Sequence, residues 1–157
     1  MAIIKVTRHS IPAFLAFSAA QQDISDNTFT KVQFNTEKYD VDGTYDNSTN
    51  YRFTPAVAGK YNLYAQVGAY GISNTSQDIT IDIYKNGSSY VQQRQGFSDM
   101  AIQNGGTYSL HTSATLISDA DDYFEVYLKM NTNGVNARID YNASLLYTFF
   151  GGYKLIT

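Results

Sequence analysis

Short runs along the chain alternate between apolar and polar positions, with polar turns between them. In 29–39 (FTKVQFNTEKY), Val32 and Phe34 fall on one parity, and Lys31 and Gln33 on the other. In 61–69, Tyr61, Leu63, Ala65, Val67 and Ala69 share a parity, just after the Pro-containing stretch 53–59 and its Gly59. Ile79, Ile81 and Ile83 alternate with Thr80 and Asp82, and Asn86-Gly87 then supplies the two positive-φ residues of a tight hairpin turn. Tyr108, Leu110, Thr112, Ala114 and Leu116 form one face of a further strand. Phe124, Val126, Leu128 and Met130 do the same in the next, and the Asp-rich link between these two reads as a hairpin. A period of two marks a half-buried strand. No window holds a helical period, and no repeat or linker interrupts the series. Strand after strand at this spacing predicts an all-β sandwich or barrel.

The two ends break the alternation. The run 12–19 (PAFLAFSA) and the run 143–156 (ASLLYTFFGGYKLI) are apolar on both parities. A strand of a two-layer sandwich has one wet face, so something must cover the second face of these two. Another copy of the chain is the expected cover, because exposed aromatic strands invite aggregation. The alternative is a loop closed over the strand.

Composition narrows the class. The chain has 157 residues, enough for one domain with a core. It carries 14 Tyr and 9 Phe, only 2 Pro, 16% charged residues and a net charge of −3. The acidic balance argues against nucleic acid as a partner. No segment approaches the roughly 20 apolar residues of a membrane-spanning helix. There is no Cys, hence no disulfide, thiolate site or Cys nucleophile. The start, MAIIKVTRHSIPAFLAFSAA, has the outline of a signal peptide. Its apolar run is short and holds Pro12, so a first strand is the preferred reading.

Five pieces in order resemble the globular head domain shared by complement C1q and the tumour necrosis factor ligands. They are Ala13-Phe14, Val32-Gln33-Phe34-Asn35, the series Tyr45-Asp46, Phe53-Thr54-Pro55 and Gly59-Lys60-Tyr61, then Tyr84-Lys85-Asn86-Gly87, and the closing run 149–155. The resemblance runs from about Pro12 to the end. The stretch 135–141 fits loosely, and no Gly-X-Y stalk precedes the domain. The resemblance implies a jelly-roll β-sandwich of about ten strands that assembles as a homotrimer. It also implies that the first and last strands lie side by side near the threefold axis. The expected trimer-interface residues are Phe14, Phe17, Leu145, Tyr147, Phe149 and Tyr153. The expected organisation is an N-terminal arm over 1–11 and one jelly-roll domain over 12–157.

Catalytic chemistry finds little support. His9 and His111 have only Ser10 and Ser113 nearby in sequence, and there is no G-x-S-x-G elbow, P-loop or His-x-x-x-His. His111 lies on the polar parity of its strand. Asp40, Asp42 and Asp46 bracket Gly43, while Asp119, Asp121 and Asp122 crowd one link. Either group could hold calcium, with the second ahead, although Asp is also an ordinary turn former. Tyr64, Tyr70, Tyr90, Tyr123 and Tyr127 lie off the apolar parity or near loops and suit subunit, sugar or protein contacts. Sequons at Asn47, Asn74, Asn86 and Asn142 matter only for a chain secreted by a eukaryote.

Taken as a complete chain without export signal, Cys or stalk, the sequence is expected to be a structural virion protein and not an enzyme. The resemblance extends to bacteriophage fibres and capsid decorations, with capsid or fibre proteins as partners. Ile3, Ile4, Lys5 and Arg8 would carry attachment in the arm. The alternative is a recognition module, an extracellular or cell-surface adhesin tip. It would bind host glycan or protein through the loops 72–77 and 96–105. No cofactor beyond possible calcium is expected.

Overall fold

A computed structural model describes residues 11–73, 75–97, 106–134, 137–142 and 144–156. The described residues form thirteen strands in two antiparallel sheets. The first sheet contains β1 (Ala13–Phe17), β2 (Gln22–Ile24), β4 (Thr36–Val41), β7 (Gly59–Ile72), β10 (Gly106–Ser118), β12 (Ala137–Asp140) and β13 (Phe149–Lys154). The second contains β3 (Thr30–Lys31), β5 (Tyr45–Asp46), β6 (Arg52–Phe53), β8 (Asp78–Lys85), β9 (Ser88–Gly96) and β11 (Phe124–Asn131). The number exceeds the expected ten because β3, β5 and β6 are short two-residue pieces.

The alternating residues of β7, β8 and β11 fill the space between the sheets. Tyr61, Leu63, Ala65, Val67 and Ala69 meet Ile79, Ile81, Ile83, Phe124, Val126 and Leu128, all fully buried. An aromatic stack joins the layers. Phe14 lies 4.4 Å from Phe53 and 5.0 Å from Tyr45, both stacked, and meets Phe150 edge-on at 4.9 Å.

Two elements depart from the sequence pattern. The run 29–39 is not one strand. β3 pairs with β11 in the second sheet, β4 pairs with β1 in the first, and Val32 to Asn35 cross between them. Val32 and Phe34 are still fully buried, so the alternation survives on a chain that changes layers. The link 119–123 is likewise no hairpin, because β10 pairs with β7 and β11 with β8. Alternation reports which side is dry, not which neighbour supplies the hydrogen bonds.

The corner before β7 is fixed locally. Pro55 is buried, Ala56 adopts φ +58°, and the buried Tyr61 donates its hydroxyl hydrogen bond back to the Val57 carbonyl at 2.6 Å. A tyrosine that ties the start of a strand to the preceding turn holds a crossing chain in place.

Registers also fix the two ends of the sandwich. Gly59 pairs with Ser118, Tyr61 with Lys154, and Ala13 with Tyr153, so both described termini lie at this end. Ile72 pairs with Gly106, which puts Ser73 and residues 75–77 at the opposite end; most of the loop 96–105 lies outside the described residues.

Candidate functional site

The outer face of the first sheet is built from the residues that alternate away from the core. Its middle row runs Tyr39, Leu15, Gly151, Tyr64, Ser113 across β4, β1, β13, β7 and β10. The row beside it is Val41, Ala13, Tyr153, Asn62, Thr115, and the row on the other side is Thr36, Phe17, Phe149, Gln66, His111. None of these fifteen positions holds Asp, Glu, Lys or Arg. Tyr39, Val41 and Tyr153 are exposed large side chains. An uncharged surface with exposed tyrosines is the composition of an interface centre.

Glycine shapes this face. A Cβ at Gly151 would stand 2.6 Å from Cζ of Tyr64, so the tyrosine ring lies over the bare backbone of β13. The Tyr64 hydroxyl is thereby carried toward that of Tyr39. Burial pushes the Tyr64 phenol up to about 12, and the nearby Tyr39 hydroxyl adds to the rise. On the inner side, a Cβ at Gly152 would meet Leu63 Cδ2 at 2.3 Å and the Asn62 carbonyl at 3.0 Å. The pair Gly151-Gly152 therefore serves close approach on both faces of one strand.

The segment around Leu145 stands on the same face. Gln66 donates to the Tyr147 carbonyl at 3.1 Å, and Thr148 receives the Gly68 N–H while donating to the Asp140 carbonyl. Asn142 accepts from the N–H groups of Ser144 and Leu145. Leu145 projects with 66% exposure from this pinned base.

Placement separates the six expected interface residues. Leu145 and Tyr153 are exposed, and Tyr147 and Phe149 are half-buried. Phe14 requires correction. It is 0% exposed inside the aromatic stack and offers no surface to a partner. Phe17 faces outward but is 9% exposed, so its own chain already covers it. Tyr39 and Val41 complete the face. Their only trace in the sequence is the end of an alternating run, and a bulge between Leu15 and Ala16 sets their register. The arm residues Ile3, Ile4, Lys5 and Arg8, with His9 and Ser10, lie outside the described residues.

The carboxylate loops are turn devices. Asp46 accepts from the backbone N–H groups of Thr49, Ser48 and Asn50 and from the Asn50 amide, which holds its carboxyl well below the usual range. Asp40 takes the Thr44 hydroxyl and the Tyr45 N–H. The expected calcium group at Asp119, Asp121 and Asp122 does not hold. Both Asp122 oxygens are occupied, by Lys85 Nζ at 2.7 Å, the Asp119 N–H at 2.7 Å and Asn86 Nδ2 at 2.7 Å. Burial works to raise the Asp122 carboxyl, but these donors outweigh it and the net direction is down. Lys85 is raised in turn by its bond to Asp122. Among the described residues, no three His, Asp or Glu side chains are placed to hold a metal. The same contact holds the Asn86 side chain.

His111 is exposed on the outer face beside Gln66, with Ser113 the next outward residue on its strand. The remaining tyrosines are mostly held by their own neighbours. Tyr84 stacks on Tyr127 at 4.2 Å, Arg138 lies 3.9 Å from the Tyr70 ring centre, and Arg52 lies 4.6 Å from that of Tyr123. Tyr90 is exposed.

Solved structures share this architecture. The Eiger TNF of S. frugiperda is 15% identical, with 94% of this chain and 92% of that chain covered and a TM-score of 0.62. Murine APRIL, crystallised at pH 5.0, is 13% identical over 92% of this chain and 99% of that chain, with a TM-score of 0.67. The globular domain of zebrafish complement 1qA is 14% identical over 92% and 98%, with a TM-score of 0.63. The fold is the C1q/TNF-like jelly roll. No protein-family model matches the sequence, and no curated protein sequence does. At these identities the jelly roll is what is shared.

Proposed function

We propose that the chain is a non-enzymatic building block of a virion. It is a jelly roll that closes into a homotrimer through the outer face of its first sheet and decorates a capsid or forms part of a fibre. The observation that carries the trimer is the uncharged, tyrosine-rich outer face, to which Leu145 adds an apolar projection. A surface of this kind left in water is an association site. Its centre holds no charge that would have to be stripped of water on contact. Leu145, Tyr153, Tyr39 and Val41 are the residues with area to give.

The virion role rests on how such a trimer can be mounted. β1 begins at the end of the sandwich opposite Ser73 and residues 75–77. Attachment through the arm therefore leaves the far loops turned outward. Sedimentation of the purified protein tests the assembly: a trimer that Leu145→Asp dissociates is expected, and a wild-type monomer overturns it. Co-sedimentation of an arm-deleted trimer with particles tests the attachment, and undiminished binding removes that role. Selective glycan binding lost on swapping the 72–77 loop would move the reading to a recognition module.

A further inference from the structure

One group on the outer face of the first sheet belongs to a residue type that changes charge near neutral pH. His111 is exposed at the end of the row Thr36, Phe17, Phe149, Gln66, His111. It pairs with Gln66 on β7, one strand spacing of about 4.8 Å away. The Gln66 amide in turn holds the Tyr147 carbonyl at 3.1 Å, at the base from which Leu145 projects. A Cβ at Gly68, the next outward residue of β7, would stand 3.4 Å from Tyr147 Cβ, so this segment lies over β7 right beside β10. A second copy that covers Leu145 and Tyr147 therefore also takes water from His111.

The described residues around it offer no counter-charge to an imidazolium. Its outward neighbours on β10 are Ser109 and Ser113, with Thr107 and Thr115 beyond. On β7 they are Tyr64, Gln66 and Gly68, and Phe149 follows on β13. The titratable groups here are the phenols of Tyr64 and Tyr147, and phenols are uncharged between pH 5 and 8. On β12, Asp140 already accepts from the Thr107 hydroxyl and the Tyr141 N–H, and Arg138 lies against the Tyr70 ring. In the other sheet Arg94 is bonded to Asp78. Lys60 lies further along β7, on the outward parity beyond Asn62. We propose that His111 is the acid release of the trimer: the neutral imidazole is carried into the subunit contact, and its protonation drives the copies apart. The inference rests on the trimer reading above. A charge held in a dry interface without a partner is costly, whereas the neutral ring can stay buried. The assembled state thus binds fewer protons than the separate chains, so assembly is favoured as pH rises and lost as it falls. Three copies supply three imidazoles. The trimerisation constant should therefore fall by up to about 1000-fold per pH unit below about 6.5, where an imidazole in water gains its proton.

Sedimentation of the full chain on either side of that value is the test. Carboxylates stay ionised between about pH 5.5 and about pH 7.5, so only histidine changes charge in the window. The wild type should be a trimer at the upper pH and a monomer at the lower one, with unchanged far-ultraviolet circular dichroism. His111→Gln should stay trimeric at both, and His111→Arg should be monomeric at both. His9→Gln, which removes the other histidine of the chain, should behave as the wild type. Circular dichroism verifies that each variant is folded. A wild-type trimer that persists at the lower pH, or a His111→Gln trimer that comes apart there, overturns this inference and leaves the trimer reading standing. A wild-type monomer at both pH values overturns the two together.

Discussion

The Tyr64 ring rests on Gly151, so close that a Cβ there would stand 2.6 Å from its Cζ. Gly151→Ala should lift the ring off β13 and part its hydroxyl from that of Tyr39. The obstruction is the far end of a side chain that can swing outward, so folding should suffer little while assembly suffers more. Gly152→Ala faces Leu63 and the Asn62 backbone inside the core, where overpacking costs typically about 1–3 kcal/mol. Urea midpoints should therefore fall clearly for Gly152→Ala and only slightly for Gly151→Ala, with sedimentation giving the reverse order. Equal effects in both assays would refute the division of labour between the two glycines.

Phe14 and Leu145 belong to different physical roles. Phe14→Ala removes the ring between Tyr45, Phe53 and Phe150 and should cost about 3–5 kcal/mol of folding stability. Leu145→Ala, at an exposed position, should change folding by no more than about 0.5 kcal/mol. Its effect should instead appear in the sedimentation coefficient. Denaturation and sedimentation of the two variants side by side decide the matter.

Two buried tyrosines differ in what their hydroxyls do. Tyr61 bonds the Val57 carbonyl, and Tyr61→Phe should cost about 1 kcal/mol. The Tyr45 hydroxyl is buried without a partner, so Tyr45→Phe should be neutral or stabilising. A Tyr45→Phe protein that melts well below wild type would show that this hydroxyl is bonded after all.

Alkali should weaken the protein through its tyrosines. Burial, as the largest cause, raises the Tyr64 and Tyr127 phenols to about 12. In the unfolded chain they titrate near pH 10. A folded value above the unfolded one gives stability that is fully present below about pH 10 and is lost as the pH climbs through about 12. Urea midpoints should fall across that window, and tyrosinate absorbance for these residues should lag behind that of the free side chain. A midpoint flat across the window would contradict the assignment. Tyr64→Phe should flatten the slope.

Much of the sandwich is legible along the chain because its signal is local. The inward parities of β7, β8, β10 and β11 follow from a period of two, and Asn86-Gly87 marks its own turn with φ of +52° and +77°. The doubly apolar ends also identify the strands that meet, since β1 pairs with β13 from Ala13 and Tyr153 to Phe17 and Phe149. Parity does not say which side of β1 is the core. Phe14 and Phe17 look alike in sequence, yet one lies in the aromatic stack and the other faces outward. Nor could spacing show that Asp122 is taken by Lys85 and Asn86, because those contacts join residues 37 and 36 positions apart.

The sequence by itself determined the strands, the dry side of most of them and the all-β class, because alternation needs only neighbours two residues away. Tertiary structure alone decided which sheet each strand joined and which aromatics remained for a partner. It also decided which carboxylates already had donors. Those outcomes depend on cross-strand register, and a single bulge between Leu15 and Ala16 resets which β4 residues complete the outer face.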